Sequence, residues 1–328
     1  MAQKQAIGRP VKIKPGNLKR FWSDLVHSRT AYLFLAPTVI IMAVLVVWPL
    51  LQGLLFAFTN VSSKNIGNKY IGDNYIAPTY KFSGLDNFFD PDTGVLSTGS
   101  PFWGTLRQTL VWVAANVILH FALGLGLALV LNRKFTGRSI YRVLLMIPWA
   151  VPSYISALGW SWIFNQNTGL INNTLRSMGL SNIPWSTDAV WATIAVIIVN
   201  VWLGVPFYIV TMLGGMQSIP TDLYEASSID GATKWQNFWQ VTLPLLQPVV
   251  LTATLLDVIW TFQNFNVIFL TTGGAPAGQT DILVTKSYLL FQQGRYGESS
   301  AYSVVMLLML LIFSIFYTRA LRNPQEAR

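Results

Sequence analysis

Besides Arg107 near the end of one run, His120 and Asp257 are the only acidic or basic residues inside the long apolar runs of this 328-residue chain. Such groups are costly at membrane depth and turn towards a bundle interior or a water-filled cavity. Asp257, Trp260 and Asn264 recur at spacings of three and four, the stripe of one helical face. A second run carries Asn200, Trp202 and Tyr208. Amides and a carboxylate among aromatic rings suit a polyhydroxylated solute, whose hydroxyls take hydrogen bonds and whose C–H faces rest on rings. These six residues are the candidates for a substrate path. The competing assignment is structural, since Asn and Gln also join helices and Trp belongs to interface belts. Asp257 could equally pair with an Arg or His of a neighbouring helix, and His120 is read as a packing contact rather than a proton carrier.

Other chemistries lack their residues. The chain has no cysteine, which excludes disulfides, thiolate metal sites and Cys nucleophiles. Two histidines, at positions 27 and 120, cannot make H-E-x-x-H. No paired intramembrane carboxylates, G-x-S-x-G turn or G-x-x-x-x-G-K-[ST] phosphate loop is present. No catalytic residue, metal site or cofactor is expected on this chain.

The elements that must position these groups are membrane spans. Hydrophobic residues make up 52% and charged residues 11%, less than half the roughly 25% usual in soluble domains. About 20 apolar residues cross the hydrocarbon layer. Six segments qualify, near Ala31–Phe58, Thr105–Leu131, Val143–Phe164, Ala189–Met216, Leu245–Leu270 and Ala301–Thr318. The first is roughly twice the length of a signal-peptide core of about 7–15 residues, so it is read as a retained span. Along the second, Ala122, Gly124, Gly126 and Ala128 permit close helix approach.

Basic residues set orientation, their excess staying cytoplasmic. Lys4, Arg9, Lys12, Lys14, Lys19, Arg20 and Arg29 precede the first span, Arg133, Lys134, Arg138 and Arg142 follow the second, and Arg319, Arg322 and Arg328 follow the last. Both termini are therefore expected in the cytoplasm. The net charge of +9 then reflects topology beside anionic lipid, and nucleic acid is not an expected partner. The opposite loop of residues 59–104 is read either as a small cap that meets a partner or as a solvated loop.

Parity places residues 217–244 on the cytoplasmic side. Asp222 with Glu225 resembles a capping box at a helix start, and Thr233 with Gln236 forms a second. Asp230-Gly231 supplies a turn between them, glycine entering the left-handed region freely. Trp235, Phe238 and Trp239 share one face of the second helix. The loop reads as two short helices hinged at Gly231.

The order Glu225-Ala226-Ser227, Asp230-Gly231-Ala232, then Leu243-Pro244 resembles the E-A-A…G…L-P cytoplasmic loop of binding-protein-dependent ABC importer permeases, with Ser227 where a second Ala is usual. From about Thr30 to Arg319 the chain is similar to sugar-importer permeases of the maltose and glycerol-phosphate type. Pro148 with Pro152, Trp202-Leu203-Gly204 with Pro206, Phe265-Asn266, Gly273-Gly274 and Tyr296-Gly297 carry the likeness, while Asn266 departs from an acid common in that family.

The resemblance implies an all-α membrane protein of the type I importer permease fold. Residues 1–30 would be a basic cytoplasmic segment, 31–320 the permease domain and 321–328 a cytoplasmic tail. It also implies a bacterial-type inner-membrane location, a second permease subunit (a paralogue), two cytoplasmic ATPase subunits holding ATP and magnesium, and an extracytoplasmic solute-binding protein. Leu223, Tyr224, Glu225, Ala226, Ser227, Asp230, Gly231 and Ala232 would couple to the ATPase. The solute would be a maltose- or trehalose-like sugar. An ion-coupled secondary transporter is the rival reading, although such machines commonly need more ionisable relays than His120 and Asp257.

Overall fold

A computed structural model describes residues 29–67, 69–71 and 74–321. The basic segment and the tail expected at either end fall mostly outside them. The chain divides into two units, Met1–Leu55 and Phe56–Arg328. Helix α1 runs from Arg29–Met42 through a π-helical stretch, Ala43–Val47, into Trp48–Phe56. Its apolar part, Tyr32–Phe56, has 25 residues, enough to cross a membrane.

The second unit is built around α2 (Phe102–Asn132) and α5 (Ala189–Gln217), flanked by α7 (Lys234–Phe262) and α10 (Tyr296–Leu321). All four are long and apolar enough to span. Trp112, Val196, Val199, Ile268 and Ile282 are buried in one cluster, and Ala128, Tyr208, Met212 and Leu246 in another. Of the four small residues on α2, Gly124 and Ala128 are buried and Ala122 and Gly126 are exposed. Residues four apart share a face, and of the two such pairs only Gly124 with Ala128 faces the core. A Cβ on Gly124 would lie 2.3 Å from Tyr208 Cβ, so this glycine sets the closest approach of α2 to α5.

The expected third span, Val143–Phe164, is not one rod. It is α3 (Arg138–Ala150) and α4 (Ser153–Ile163), bent by 93°. Proline disfavours helical backbone at the residue before it, and Val151, preceding Pro152, is extended. At 1.5 Å per residue the arms reach about 20 and 17 Å, each short of the roughly 30 Å hydrocarbon core. The described residues thus hold five spanning helices, or six with this broken one.

The expected fifth span, Leu245–Leu270, also overruns. Helix α7 stops at Phe262, and α8 (Phe265–Thr271) starts afresh, the Asn264 side chain accepting from the Val267 N–H. Helix α9 (Leu283–Gln292) precedes α10.

The described residues among 57–101 form a folded cap. A short antiparallel pair joins Lys69–Ile71 to Asn74–Ile76, and Phe88 and Val95 enter the core. The Ser63 N–H donates to the Gly294 carbonyl at 2.8 Å, and the Gly297 N–H to Val61 at 2.9 Å, tying the cap to the α9–α10 corner.

Gly124→Val should destabilise the bundle by about 1–3 kcal/mol, because Tyr208 Cβ is fixed to its backbone and cannot move aside. Gly126→Val, where nothing lies within 4 Å, should leave melting unchanged within this chain. Thermal unfolding of the two variants followed by size-exclusion fluorescence checks the contrast.

Candidate functional site

The two helix breaks lie side by side. Asn266 Nδ2, just past the α7–α8 break, donates to Ser153 Oγ, just past the α3–α4 break, at 3.1 Å. Unwound backbone at membrane depth is tolerated only where it is buried in protein or lines a cavity. A cavity of about 370 Å³ opens here, lined by Trp149, Val151, Pro152 and Ser153 from the first break and by Asp257, Trp260, Thr261 and Asn264 at the second. His120 of α2 and Asn200, Gly204 and Phe207 of α5 complete it.

Of the six residues expected on a solute path, Asn200, Asp257, Trp260 and Asn264 line this cavity. Asn264 Nδ2 donates to Asn200 Oδ1 at 2.7 Å, and Asn200 Nδ2, buried, has no partner among the described residues. The rings of Trp260 and Trp149 lie 5.1 and 6.5 Å from that of Phe207, which sits between them. The other two expectations land elsewhere. Trp202 is two residues from Asn200, about 200° round the helix, and lines a separate apolar cleft against Trp160. Tyr208 is fully buried between His120 and Phe121.

His120 does more than pack. Its Nδ1 lies 3.0 and 3.1 Å from the two carboxylate oxygens of Asp257, and its Nε2 lies 3.1 Å from the Asn200 carbonyl. Asp257 also accepts from Thr261 Oγ1 at 3.1 Å, while the Thr261 carbonyl accepts from Trp112 Nε1 at 2.9 Å. One imidazole therefore joins α2, α5 and α7. Gly204 makes the approach possible, since a Cβ there would meet the His120 ring at 2.4 Å.

Ser153, Trp149 and Thr261 were not foreseen as lining residues. Pro148 and Pro152 carried the signal for the first two, as paired prolines inside an apolar run. A larger cleft of about 650 Å³ lies between the N-terminal ends of α2 and α5 and residues 277–281, lined by Arg107, Gln108, Thr193 and Lys286. None of the six expected residues reaches it. Asp281 also lines it, and burial raises its carboxyl above its ordinary value, against the hydrogen bond from Thr285 and the charge of Lys286.

The second candidate element is the loop after α5. Helix α6 (Thr221–Ile229) ends in a Schellman turn, with the Ala232 N–H on the Ser227 carbonyl at 3.0 Å and the Gly231 N–H on Ser228 at 3.1 Å. Gly231 has φ +81°, the left-handed value expected of a hinge. The capping box at Thr233 and Gln236 is formed. The one read at Asp222 and Glu225 is not, because the helix is capped two residues earlier, at Pro220, which leaves Asp222 in its first turn without a cap bond.

Trp235 stacks on Phe238, and Trp239 meets both rings edge-on, with Trp235 and Trp239 exposed. Ser227 Oγ donates to Asn237 Oδ1, and the Tyr224 and Thr242 hydroxyls bond at 3.0 Å, so the two helices are pinned together. Leu223, Glu225, Ala226, Asp230 and Gly231 are exposed.

Long apolar helices, a polar cavity at paired breaks and an exposed hinged pair define a membrane permease. Residues 120–323 match the family described as binding-protein-dependent transport system inner membrane component, and the chain belongs to that family. It is 38% identical to a probable ABC transporter permease protein of Brucella abortus, over 92% of this chain and all of that one. It is 37% identical to the trehalose/maltose transport system permease protein MalF of Thermococcus litoralis, over 76% of this chain and 83% of that one. In fold it matches a crystal structure of a bacterial alginate ABC transporter in complex with an alginate-loaded periplasmic protein, with TM-score 0.74 and 24% identity over 92% of this chain and 97% of that one.

Gly204→Ala should push the His120 ring off the Asn200 carbonyl and lower stability by about 1–3 kcal/mol. Gly159→Ala on α4, where nothing lies within 4 Å, should not. Thermal unfolding of both variants measures the difference.

Proposed function

We propose that this chain forms half of the translocation path for a maltose- or trehalose-like di- or oligosaccharide in an ATP-driven importer of a bacterial-type inner membrane. The observation that carries the sugar is the cavity at the paired breaks. Its amides, hydroxyls and two tryptophans match a solute with hydroxyl edges and C–H faces. A buried donor without a partner costs about 1–3 kcal/mol, and a sugar hydroxyl drawn to Asn200 would offset that cost. The named activity of the Thermococcus relative agrees with this class of solute.

Both termini and the 217–244 loop lie in the cytoplasm in this reading, supported by the clustering of Lys and Arg. A second permease subunit, a paralogue, supplies the other half of the path. An extracytoplasmic binding protein delivers the sugar, and two cytoplasmic ATPase subunits hold ATP and magnesium. Helix α6 docks on the ATPase through its exposed Leu223 and Ile229, with Glu225 beside them. ATP binding then shifts the permease between inward- and outward-facing states, because the closed ATPase dimer fits only one of them.

Two variants test the two halves of this reading in proteoliposomes carrying the whole complex. Asn264→Ala should cut ATP-dependent maltose uptake at least about tenfold while ATP hydrolysis continues, through loss of the amide that meets solute and Asn200. Normal uptake by this variant removes the cavity from the path. Gly231→Pro cannot adopt φ +81° and should uncouple hydrolysis from uptake without preventing membrane insertion. Normal uptake there, or wild-type uptake that an uncoupler abolishes while ATP is present, contradicts the coupling.

A further inference from the structure

Resting on the sugar-path reading above, we propose that the cavity admits uncharged sugars and rejects acidic ones, with His120 as the positioning residue that sets this selectivity. The argument begins with protons. A backbone carbonyl only accepts, so the Asn200 contact at 3.1 Å requires a hydrogen on His120 Nε2. Two carboxylate oxygens 3.0 and 3.1 Å from Nδ1 require one more proton between ring and carboxylate. Whether that proton sits on nitrogen or oxygen, the pair carries no net charge.

That pairing leaves the cavity without a free cation. Among the described residues no lysine or arginine lines it, and those around the imidazole that can ionise are Asp257 on α7 and Tyr208 on α5. The side chains of His120 and Asp257 are 2% and 7% exposed, so solvent screening is weak. A uronate, sulfonate or phosphate entering here would shed water with no countercharge to receive it. A neutral hydroxyl meets Asn200, Asn264 and Ser153 without that penalty. His120 thus acts on solute through Asp257: by holding the carboxylate, it keeps both its own charge and that of Asp257 out of play.

Freeing the ring should reverse the preference. In Asp257→Asn the introduced amide can face Nδ1 with oxygen or nitrogen, so the ring can hold one proton or two. Acidification would then place a lone cation beside the cavity.

The test is equilibrium dialysis of the purified complex, both permeases with their ATPase subunits, in nanodiscs. The probes are radiolabelled maltose and a uronic-acid disaccharide, at about pH 8 and about pH 5.5. The wild type should bind maltose at both pH values and the uronide at least about tenfold more weakly. Asp257→Asn should gain uronide affinity on acidification, and Asp257→Asn/His120→Gln should lose that gain. A wild type that binds the two probes equally overturns the selectivity and leaves the sugar path standing. A gain that persists in the double variant overturns the role of His120. Absence of maltose binding to the wild type sinks the sugar-path reading itself, and the selectivity with it.

Discussion

Every backbone amide placed in hydrocarbon must find its partner inside the protein, and that constraint governs this molecule. Two of its apolar stretches stop being helical midway, at Val151–Pro152 and at Gln263–Asn264. Breaks of this kind survive only against protein or a cavity, and the chain sets them side by side. At the second break the Asn264 side chain does part of the repair by capping α8, and Asn266 ties the two breaks together through the Ser153 hydroxyl. What remains is a polar recess enclosed by otherwise apolar rods.

The recess depends on helices that come unusually close. Gly124 lets α2 approach α5 at Tyr208, and Gly204 lets the His120 ring reach the α5 backbone. From there the imidazole holds Asp257, which takes a further hydrogen bond from Thr261. Packing and polarity are thus one arrangement: remove a glycine and the polar pair loses its geometry. At the far end of α5 the same chain presents a stiff, capped helical pair turning on Gly231, whose exposed face has its apolar groups outward.

Much of this was legible in the residues. Spans two, four and six followed from apolar length, and the Gly231 hinge and Thr233 box from turn and cap chemistry. The breaks were harder. Hydropathy averages over some 20 residues, so the polar Gln263-Asn264 pair vanished between Phe262 and Phe265, and Pro152 was absorbed into a run of the right length. The Asp257, Trp260 and Asn264 stripe was chosen on helical spacing, yet Asn264 lies beyond the helix end and meets the others through the cavity instead. Trp202 and Tyr208 were grouped with Asn200 because they share a span, a criterion blind to which face each occupies. Asp257 was read as able to pair with an Arg or His of a neighbouring helix, and His120 is that partner, although across 137 residues no local pattern selects it.

The central claim is that the two breaks together enclose a water-reached solute path, and cysteine labelling reads it directly. The native chain has no cysteine, so single substitutions stand on an empty background. Ser153→Cys and Asn264→Cys, in the assembled complex, should react with a membrane-impermeant thiol reagent and be protected by maltose. Ile118→Cys, on α2 but outside the cavity lining, should gain no protection from the sugar. If Ser153→Cys stays unlabelled while the complex imports sugar, or if both lining variants react equally with and without it, the path does not run between the breaks.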